Sequence, residues 1–280
     1  MKIEKNIGLV DVTNEEYHSS DSVGHSGLVR IMRSPLHYKE SLDAPREPTP
    51  AMAFGTAVHA AILEPSLFVK SYVVAPKFDR RTKDGKAAAE DWEKNNAGKL
   101  FLTEEQMASL KRMQAQVMDH AGAAKLLSVG MAEKSFFWTD SETGVNCRIR
   151  PDFLMQNEHG EIIGIVDVKT AIDASAEGFS KSLANYGYDL QAAFYQEGMK
   201  QATGRKIPFY FVVIESNAPH AVAAYKANDQ VIEVGRTKFQ GALQLVAWCR
   251  ENGQWPAYQP TGEIEEIGLP RWAANFSLDD

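Results

Sequence analysis

An acid and a lysine two positions apart close one of the most apolar stretches of the chain. The segment Ile165–Thr170 reads IVDVKT, so Asp167 and Lys169 follow a run of aliphatic residues. In a β-strand, residues i and i+2 share a face, and the carboxylate of Asp167 and the ammonium of Lys169 then project together. A simple ion pair at a strand end is the alternative, and a partly exposed pair contributes little stability.

A second acid, Asp152, lies fifteen residues earlier in the segment RIRPDF. A turn at His159–Gly160 would let the two strands pair as neighbours, which brings both carboxylates to one end of a sheet. Close carboxylates repel each other unless a cation lies between them, and oxygen ligands without thiolates favour Mg²⁺ or Mn²⁺ over Zn²⁺. A cation there polarises a phosphoryl oxygen and lowers the pKa of its water, and Lys169 can orient or deprotonate that water. The pattern therefore favours phosphodiester hydrolysis.

Three further residues are weaker candidates. His59 lies in the apolar segment Met52–Leu63, which predicts a buried helix, so this histidine is either a third metal ligand or a core residue. Gln191 and Tyr195 are four positions apart and share one face of a predicted helix, where surface packing is the alternative. Glu133 lies just before a predicted strand, and a solvated surface charge is its alternative to a role in the site.

The composition is that of an ordinary soluble protein. The chain has 280 residues, 30 basic and 37 acidic, with a net charge of −7 and 44% hydrophobic residues, which excludes a disordered or collagen-like chain. Two cysteines exclude a disulfide scaffold, a four-cysteine zinc site and an iron–sulfur cluster supplied by this chain alone. Without an apolar run typical of a signal peptide or a membrane span, we expect a cytoplasmic protein that does not bind membranes.

The periodicity predicts a helical first part and a strand-containing second part. We expect one domain over 1–280, with a mainly helical part at 1–130 and an α/β core at 131–280. Predicted strands cover Lys134–Thr139, Cys147–Met155, Ile162–Lys169 and Phe209–Ile214, and Lys77–Lys86 reads as an exposed basic loop. Predicted helices cover Gly27–Arg33, Met52–Leu63, Ala87–Asn95, Thr103–His120 (with a capping box from Thr103 to Gln106), Ala176–Leu183, Asp189–Gly204 and Asp229–Asn252.

Four short motifs occur in a fixed order along the chain: GTAVH (55–59), RPDFL (150–154), VDVKT (166–170) and QAAFY (191–195). In order and spacing they resemble the G-x-x-x-H, metal-acid, D-x-K-T and Q-x-x-x-Y motifs of the RecB-type nucleases in the PD-(D/E)XK superfamily. Each motif is weak alone, but four in register are a strong signal. Flanking segments, among them EEYHSSDSVGHSGL and LPRWAANF, look most like the nuclease domain of the RecE (exonuclease VIII) family, so the resemblance covers nearly the whole chain.

This resemblance implies a fold and an activity. The fold is a PD-(D/E)XK nuclease core, a central mixed β-sheet flanked by helices, with a helical N-terminal part. The activity is a Mg²⁺-dependent exonuclease, with Mn²⁺ as a substitute, that degrades the 5′-ended strand of linear double-stranded DNA and leaves 3′ tails for recombination. The implied partners are a single-strand annealing protein of the RecT type and further copies of the chain in a ring of four. An endonuclease or repair nuclease, or an inactive scaffold that binds DNA ends, are the alternatives.

The resemblance also implies residue roles. The metal ligands are His59, Asp152, Asp167 and the carbonyl of Val168, and Lys169 is the catalytic lysine. Gln191 and Tyr195 position the scissile region, Glu133 lies behind the ligands, and Ser26 helps to hold the DNA end. Although many relatives have Glu where this chain has Asp167, the shorter acid is a common variant.

The acidic net charge does not oppose DNA binding, because a local group of basic residues is enough to neutralise phosphates. Two groups are candidates: the loop residues Lys77, Arg80, Arg81, Lys83 and Lys86, and the pair Arg148 and Arg150 beside the acids. A solvated surface is the alternative for the loop. For the ring, aromatic residues in Trp255–Tyr258 and Leu269–Phe276 are candidate interface anchors, with ordinary core packing as the alternative.

Overall fold

A computed structural model describes residues 9–43 and 49–270 of the chain. The described helices are α1 (Asn14–Ser19), α2 (His25–Arg33), α3 (Pro35–Asp43), α4 (Pro50–Leu63), α5 (Pro65–Ser71), α6 (Lys83–Asn95), α7 (Glu104–Asp119), α8 (Ala121–Leu126), α9 (Ala176–Asn185), α10 (Tyr188–Thr203) and α11 (Asp229–Asn252). The described strands are β1 (Tyr72–Val74), β2 (Leu100–Leu102), β3 (Gly130–Ala132), β4 (Phe136–Thr139), β5 (Asn146–Ile149), β6 (Phe153–Gln156), β7 (Ile162–Ala171), β8 (Phe209–Glu215) and β9 (Val222–Lys226).

A five-stranded sheet in the order β3-β6-β7-β8-β9 forms the centre of the fold. β7 and β8 pair in parallel through the connection that contains α9 and α10, and the other neighbours pair antiparallel. The sheet is therefore mixed and flanked by helices, as predicted. Two small pairs, the parallel β1–β2 and the antiparallel β4–β5 hairpin, lie outside it.

Side chains of β7 alternate between two hydrophobic clusters, one on each face of the sheet. Ile165 packs in the cluster formed with α2, α10 and α11. Val166 and Val168 pack in a second cluster with residues of α4, α7 and α8. Because both faces of the strand are covered, β7 reads as a nearly continuous apolar run, which is the pattern of a central strand.

Several predicted elements are confirmed almost to the residue. The helix predicted over Asp229–Asn252 is α11, and α7 begins at the predicted capping box. There the Thr103 hydroxyl accepts a hydrogen bond from the Gln106 amide at 3.1 Å, and the Gln106 side chain accepts one from the Thr103 amide at 2.8 Å. This exchange satisfies two donors that the helix would otherwise leave unpaired.

The strand predicted over Cys147–Met155 is wrong as a single element. It is divided into β5 and β6, which belong to different sheets, and the break contains Arg150, Pro151 and Asp152. Pro151 has no N–H to donate to a ladder and restricts the residue before it, so the strand ends there. Asp152 therefore lies in a turn between strands.

The basic segment Lys77–Lys86 is only partly a loop. Thr82 caps the helix α6 by accepting a hydrogen bond from the Gly85 amide, so Lys83 and Lys86 are helical. The helix predicted over Ala87–Asn95 is therefore confirmed but begins four residues earlier, because nothing apolar marks its first turn.

The aromatic segment near the end of the chain packs partly against its own fold. Trp255 stacks on Tyr38 of α3 with 5.8 Å between ring centroids, as the core-packing alternative expected. Tyr258 accepts a hydrogen bond from Arg33 but stays largely exposed. Most of Leu269–Phe276 lies outside the described residues. Within the part of the chain that the structure describes, no helix is both long and apolar enough to cross a membrane.

Candidate metal centre

Three side chains that can ligate a metal converge beside the end of the central sheet. His59 of α4, Glu133 after β3 and Asp152 between β5 and β6 each offer one ligand atom, and these atoms lie within 4.8 Å of one another. Nδ1 of His59 is 3.5 Å from Oδ2 of Asp152. Glu133 is thus one of the three converging donors, where the resemblance gave it only a place behind the ligands.

Strand pairing explains why Glu133 and Asp152 meet. β3 pairs with β6 so that Ala132 lies opposite Phe153, and the Glu133 amide then donates to the Asp152 carbonyl at 3.1 Å. Glu133 has a φ of 52°, in the left-handed region that is uncommon for residues other than glycine. The two acids are therefore neighbours because of the backbone, before any cation is considered.

The backbone of β7 fixes the other side of Asp152. The Val168 amide donates to Oδ2 of Asp152 at 2.7 Å, which orients the carboxylate. The predicted pairing of β6 with β7 is confirmed, with Phe153 opposite Val166. Val168 was predicted to contribute its carbonyl, and the contact that the structure shows is made by its N–H.

Asp167 and Lys169 share a face of β7, as predicted, and point towards α10. Nζ of Lys169 lies 2.5 Å from Oδ2 of Asp167 and forms an ion pair with it. Gln191 donates to Oδ1 of Asp167 at 2.6 Å. Asp167 is 1% exposed and stands outside the group of three converging donors. Lys169 also lies over the ring of Tyr188, with Nζ 4.6 Å from its centroid.

Burial and mutual repulsion shift the pKa values of these groups. Burial, together with the nearby Asp152 carboxylate, raises the pKa of Glu133 to about 8. The pKa of Asp167 is raised for the same two reasons. Burial alone would lower the pKa of Lys169, but the carboxylates of Asp167 and Asp152 outweigh it and the pKa is raised overall. Lys169 is therefore a cation at neutral pH.

The donor set fits a hard divalent cation. Two carboxylates and one imidazole converge, and burial together with the Asp152 carboxylate raises the pKa of Glu133, although Arg150 opposes the shift. Oxygen donors with a single nitrogen suit Mg²⁺ or Mn²⁺, and a positive ion would relieve the repulsion between the acids.

A cleft of about 1280 Å³ opens above this group, larger than most small-molecule sites. His59, Glu133, Lys169, Gln191 and Tyr195 line it together with Ser26, so the structure brings most predicted site residues to one surface. Tyr195 is largely buried, and burial raises the pKa of its hydroxyl well above the usual value.

The two predicted groups of basic residues differ in position. Arg148 and Arg150 line the cleft, whereas Arg80, Arg81 and Lys83 do not. Arg80 pairs with Glu93 at 2.5 Å and Arg81 with Asp79 at 2.9 Å, both on an exposed surface. Exposed pairs of this kind are weak and can exchange for other anions, so the loop arginines keep their charge but lie away from the acids.

Three residues of the site escaped the sequence interpretation. Tyr188, which covers Lys169, lies three positions before Gln191 and shares its helix face, so helical spacing could have found it. His25 donates from Nε2 to the Gly187 carbonyl at 3.0 Å, and burial lowers its pKa to about 4. Glu64 also lines the cleft, five residues after His59, with no motif to mark it.

Comparisons with known proteins identify a family and a similar fold. The family model of a PDDEXK-like domain of unknown function (DUF3799) matches residues 24–269. No curated protein matches the sequence. The fold is similar to a crystal structure from Eubacterium rectale provisionally described as an exonuclease, with a TM-score of 0.61 and 15% identity over 95% of this chain and 98% of that chain. An alkaline exonuclease (LHK-Exo) from Laribacter hongkongensis aligns at a TM-score of 0.28 and 15% identity, over 71% of this chain and 96% of that one.

Proposed function

Since the chain belongs to the family of PDDEXK-like domains of unknown function (DUF3799), and so to the PD-(D/E)XK nuclease superfamily, we propose that it hydrolyses phosphodiester bonds in DNA with a divalent cation. One observation carries this proposal. His59 and Glu133, which converge with Asp152, line the same cleft as Lys169, and Lys169 is paired with the buried Asp167. A metal ion on these ligands and the ammonium of Lys169 would together stabilise the negative charge on the phosphate oxygens during hydrolysis.

His59, Glu133 and Asp152 would hold the cation, with Asp167 as a further ligand if its buried oxygen turns from Lys169. Mg²⁺ is the proposed ion, with Mn²⁺ as a substitute, because the donors are mainly oxygens. Such an ion, when bound, polarises a phosphoryl oxygen and lowers the pKa of a coordinated water.

The remaining residues orient the reacting groups. Lys169 stays protonated next to Asp167, so its role is to orient water and to stabilise negative charge on the phosphate. Gln191 holds Asp167 by donating to Oδ1, and Tyr195 lines the cleft four residues further along α10. Ser26, at the start of α2, would contact the backbone of the DNA end, and Arg148, which is buried and donates to Ser20, would add positive charge to the cleft wall. The loop residues Arg80, Arg81 and Lys83 would make more distant phosphate contacts.

We further propose the finer activity that the RecE-like motifs imply. The enzyme would degrade the 5′-ended strand of linear double-stranded DNA and leave 3′ single-stranded tails for a RecT-type annealing protein. Support comes from the flanking segments of the sequence and from the single cleft that gathers Ser26 with the metal donors. The single domain and the cytoplasmic location belong to the same proposal.

Digestion of linear duplexes labelled at either the 5′ or the 3′ end tests this function. With Mg²⁺ we expect early release of the 5′ label, a retained 3′ tail, and no cleavage of a closed circular duplex or after chelation with EDTA. Asp167→Asn is the control, since it keeps the shape of the side chain but removes its charge. Cleavage of the closed circle would indicate an endonuclease, and DNA binding without any cleavage would indicate an inactive scaffold.

The proposed ring has its own test. A closed ring of four copies around DNA would keep the enzyme on its substrate without a motor, because cyclic interfaces can close on themselves. We expect a tetramer in native mass spectrometry and continued digestion when excess unlabelled DNA is added. A monomer that releases its substrate after each cut would contradict the ring.

A further inference from the structure

A segment at the start of the described chain forms part of the cleft wall. Residues 9–20, called the strap below, precede the region 24–269 that the family model matches. Asp11, Val12, Asn14 and Tyr17 of the strap line the cleft beside Glu133. The metal centre thus has a neighbour that the four motifs do not include.

The strap is joined to the residues that follow Glu133. Val10 and Ser135 exchange backbone hydrogen bonds of 2.8 and 3.0 Å. Between them, Lys134 pairs with Asp11 at 2.5 Å. Because Ser135 is two residues from Glu133, these contacts restrict the backbone that presents the Glu133 carboxylate.

Arg150 joins the strap to the turn that carries Asp152. Its Nε donates to the Ser135 hydroxyl at 2.7 Å, Nη1 to Oδ1 of Asn14 at 2.5 Å, and Nη2 to the Val12 carbonyl at 2.9 Å. The guanidinium also stacks on Tyr17, 4.2 Å from the ring centroid. Each of its three nitrogens is therefore engaged within the protein.

Both acids of the centre depend on this junction. Arg150 is two residues before Asp152, and Ser135 is two residues after Glu133, which donates its amide to the Asp152 carbonyl. Glu133 has a positive φ, a conformation that costs free energy and persists only where surrounding contacts enforce it. The contacts between Arg150, Ser135 and the strap restrict the backbone next to Glu133 and so help to maintain this conformation.

We propose that Arg150 is a positioning residue that, together with the strap, holds Glu133 and Asp152 in the geometry that binds the cation. This differs from the phosphate contact predicted for Arg150 from the sequence, since each of its three nitrogens already donates within the protein. The inference rests on the proposed function only in taking these acids as the cation site. It adds that residues outside the family match are needed for cation affinity, although none of them is a ligand.

The substitution Arg150→Lys distinguishes a phosphate contact from a positioning role. A lysine keeps the positive charge that a phosphate contact needs, but it cannot donate in three directions from a planar group. A phosphate contact should therefore tolerate Arg150→Lys, whereas a positioning role should not. Asn14→Ala offers a milder second variant, because it removes one acceptor of Arg150 from an exposed part of the strap and leaves every charge in place.

The experiment titrates each protein with Mn²⁺ in the absence of DNA, well below the unfolding temperature. We expect Arg150→Lys to weaken Mn²⁺ binding by about tenfold or more and Asn14→Ala to weaken it in the same direction, since changing the residues that orient metal ligands typically costs 10–100-fold. Hydrogen exchange at Val10 and Ser135 should become faster in both. DNA affinity without a cation, and its salt dependence, should stay within about twofold, because no phosphate contact is lost.

Arg205→Lys is the matched control, since Arg205 pairs with Glu161 on an exposed surface outside the cleft, and it should leave Mn²⁺ binding unchanged. Unchanged Mn²⁺ binding in both Arg150→Lys and Asn14→Ala would overturn the proposal while the proposed function stands. If Arg150→Ala lowers DNA affinity and makes it less dependent on salt while Mn²⁺ binding stays normal, the result would show that Arg150 contacts a phosphate, as predicted from the sequence. If the unmodified protein binds no Mn²⁺, this inference and the cation-dependent function both fail.

Discussion

The side-chain amide of Gln191 donates to Oδ1 of Asp167 across 2.6 Å, and both side chains are buried. The other carboxylate oxygen of Asp167 faces the ammonium of Lys169. The acid on β7 is therefore oriented by a helix that follows it by some twenty residues. This relationship explains why a glutamine belongs among the residues of the site, although an amide is neither a charged ligand nor a base.

Gln191→Leu should impair the site by removing that donor. Oδ1 of Asp167 would be buried without a hydrogen bond, which costs about 1–3 kcal/mol for a buried polar group and raises the pKa of the acid further. Since the carboxylate would then form only at higher pH, we expect the pH profile of cleavage to move upwards. Gln201→Leu, on the exposed side of the same helix, is the control, and an unchanged profile in Gln191→Leu would contradict the role.

Lys169→Ala should separate binding from turnover. We expect Mn²⁺ and DNA to bind, because the converging donors are untouched, while cleavage falls by about 10²–10³-fold through loss of charge stabilisation. Single-turnover cleavage and a Mn²⁺ titration measure the two effects, with Lys181→Ala, which lies on an exposed surface outside the cleft, as the control. Loss of Mn²⁺ binding in Lys169→Ala would show that the lysine supports the site in another way.

His59→Ala should weaken cation affinity by tenfold or more, on the order expected for loss of one ligand, and excess Mn²⁺ should partly restore cleavage. The side chain of His59 is 28% exposed, so its removal should cost little stability. Thermal unfolding and Mn²⁺ titration distinguish a ligand from a core histidine. A large loss of stability with unchanged affinity would support the core alternative, and the exposed His159→Ala serves as the control.

The pH dependence of stability should report on Glu133. Its pKa is about 8 in the folded protein and 4.5 in the reference state, so the folded state binds more protons between these values. The free energy of unfolding of the cation-free protein should therefore fall as pH rises from about 5 to 8. Mg²⁺ should oppose this fall at the upper end, because it favours the ionised carboxylate.

Chemical denaturation at several pH values in EDTA measures that slope. Glu133→Gln should flatten it, since the amide does not titrate. A slope that is unchanged by this substitution would assign the pH dependence to another group, with Asp167 as the first alternative because its pKa is also raised.

The main strands and helices, and the shared faces on which the candidate site residues lie, could be predicted because their patterns are local. The apolar run of β7 ends in Asp167-Val168-Lys169. The i, i+4 spacing of Gln191 and Tyr195 places them on the same face of α10. The turn at His159–Gly160 predicts that β6 and β7 are neighbours, and they are. Periodicity and turn chemistry are enough for such features.

Other features depend on contacts between distant parts of the chain. β3 has three residues, too few for a periodic signal, so the position of Glu133 beside Asp152 could not be read from the sequence. The partners of Arg150 in the strap lie more than a hundred residues earlier, at Val12 and Asn14. The resemblance located the acids but carried no information on what supports them.

The alternation along β7 has a consequence for how this protein tolerates change. Val166 and Val168 belong to a hydrophobic cluster, whereas Asp167 and Lys169 face the cleft side of α10. Neighbouring codons are thus under different selection: those for Val166 and Val168 for the yield of folded protein, those for Asp167 and Lys169 for turnover. A gene that loses its acid or its lysine can still encode an intact scaffold, so descendants of this sequence could keep the architecture long after the chemistry is gone.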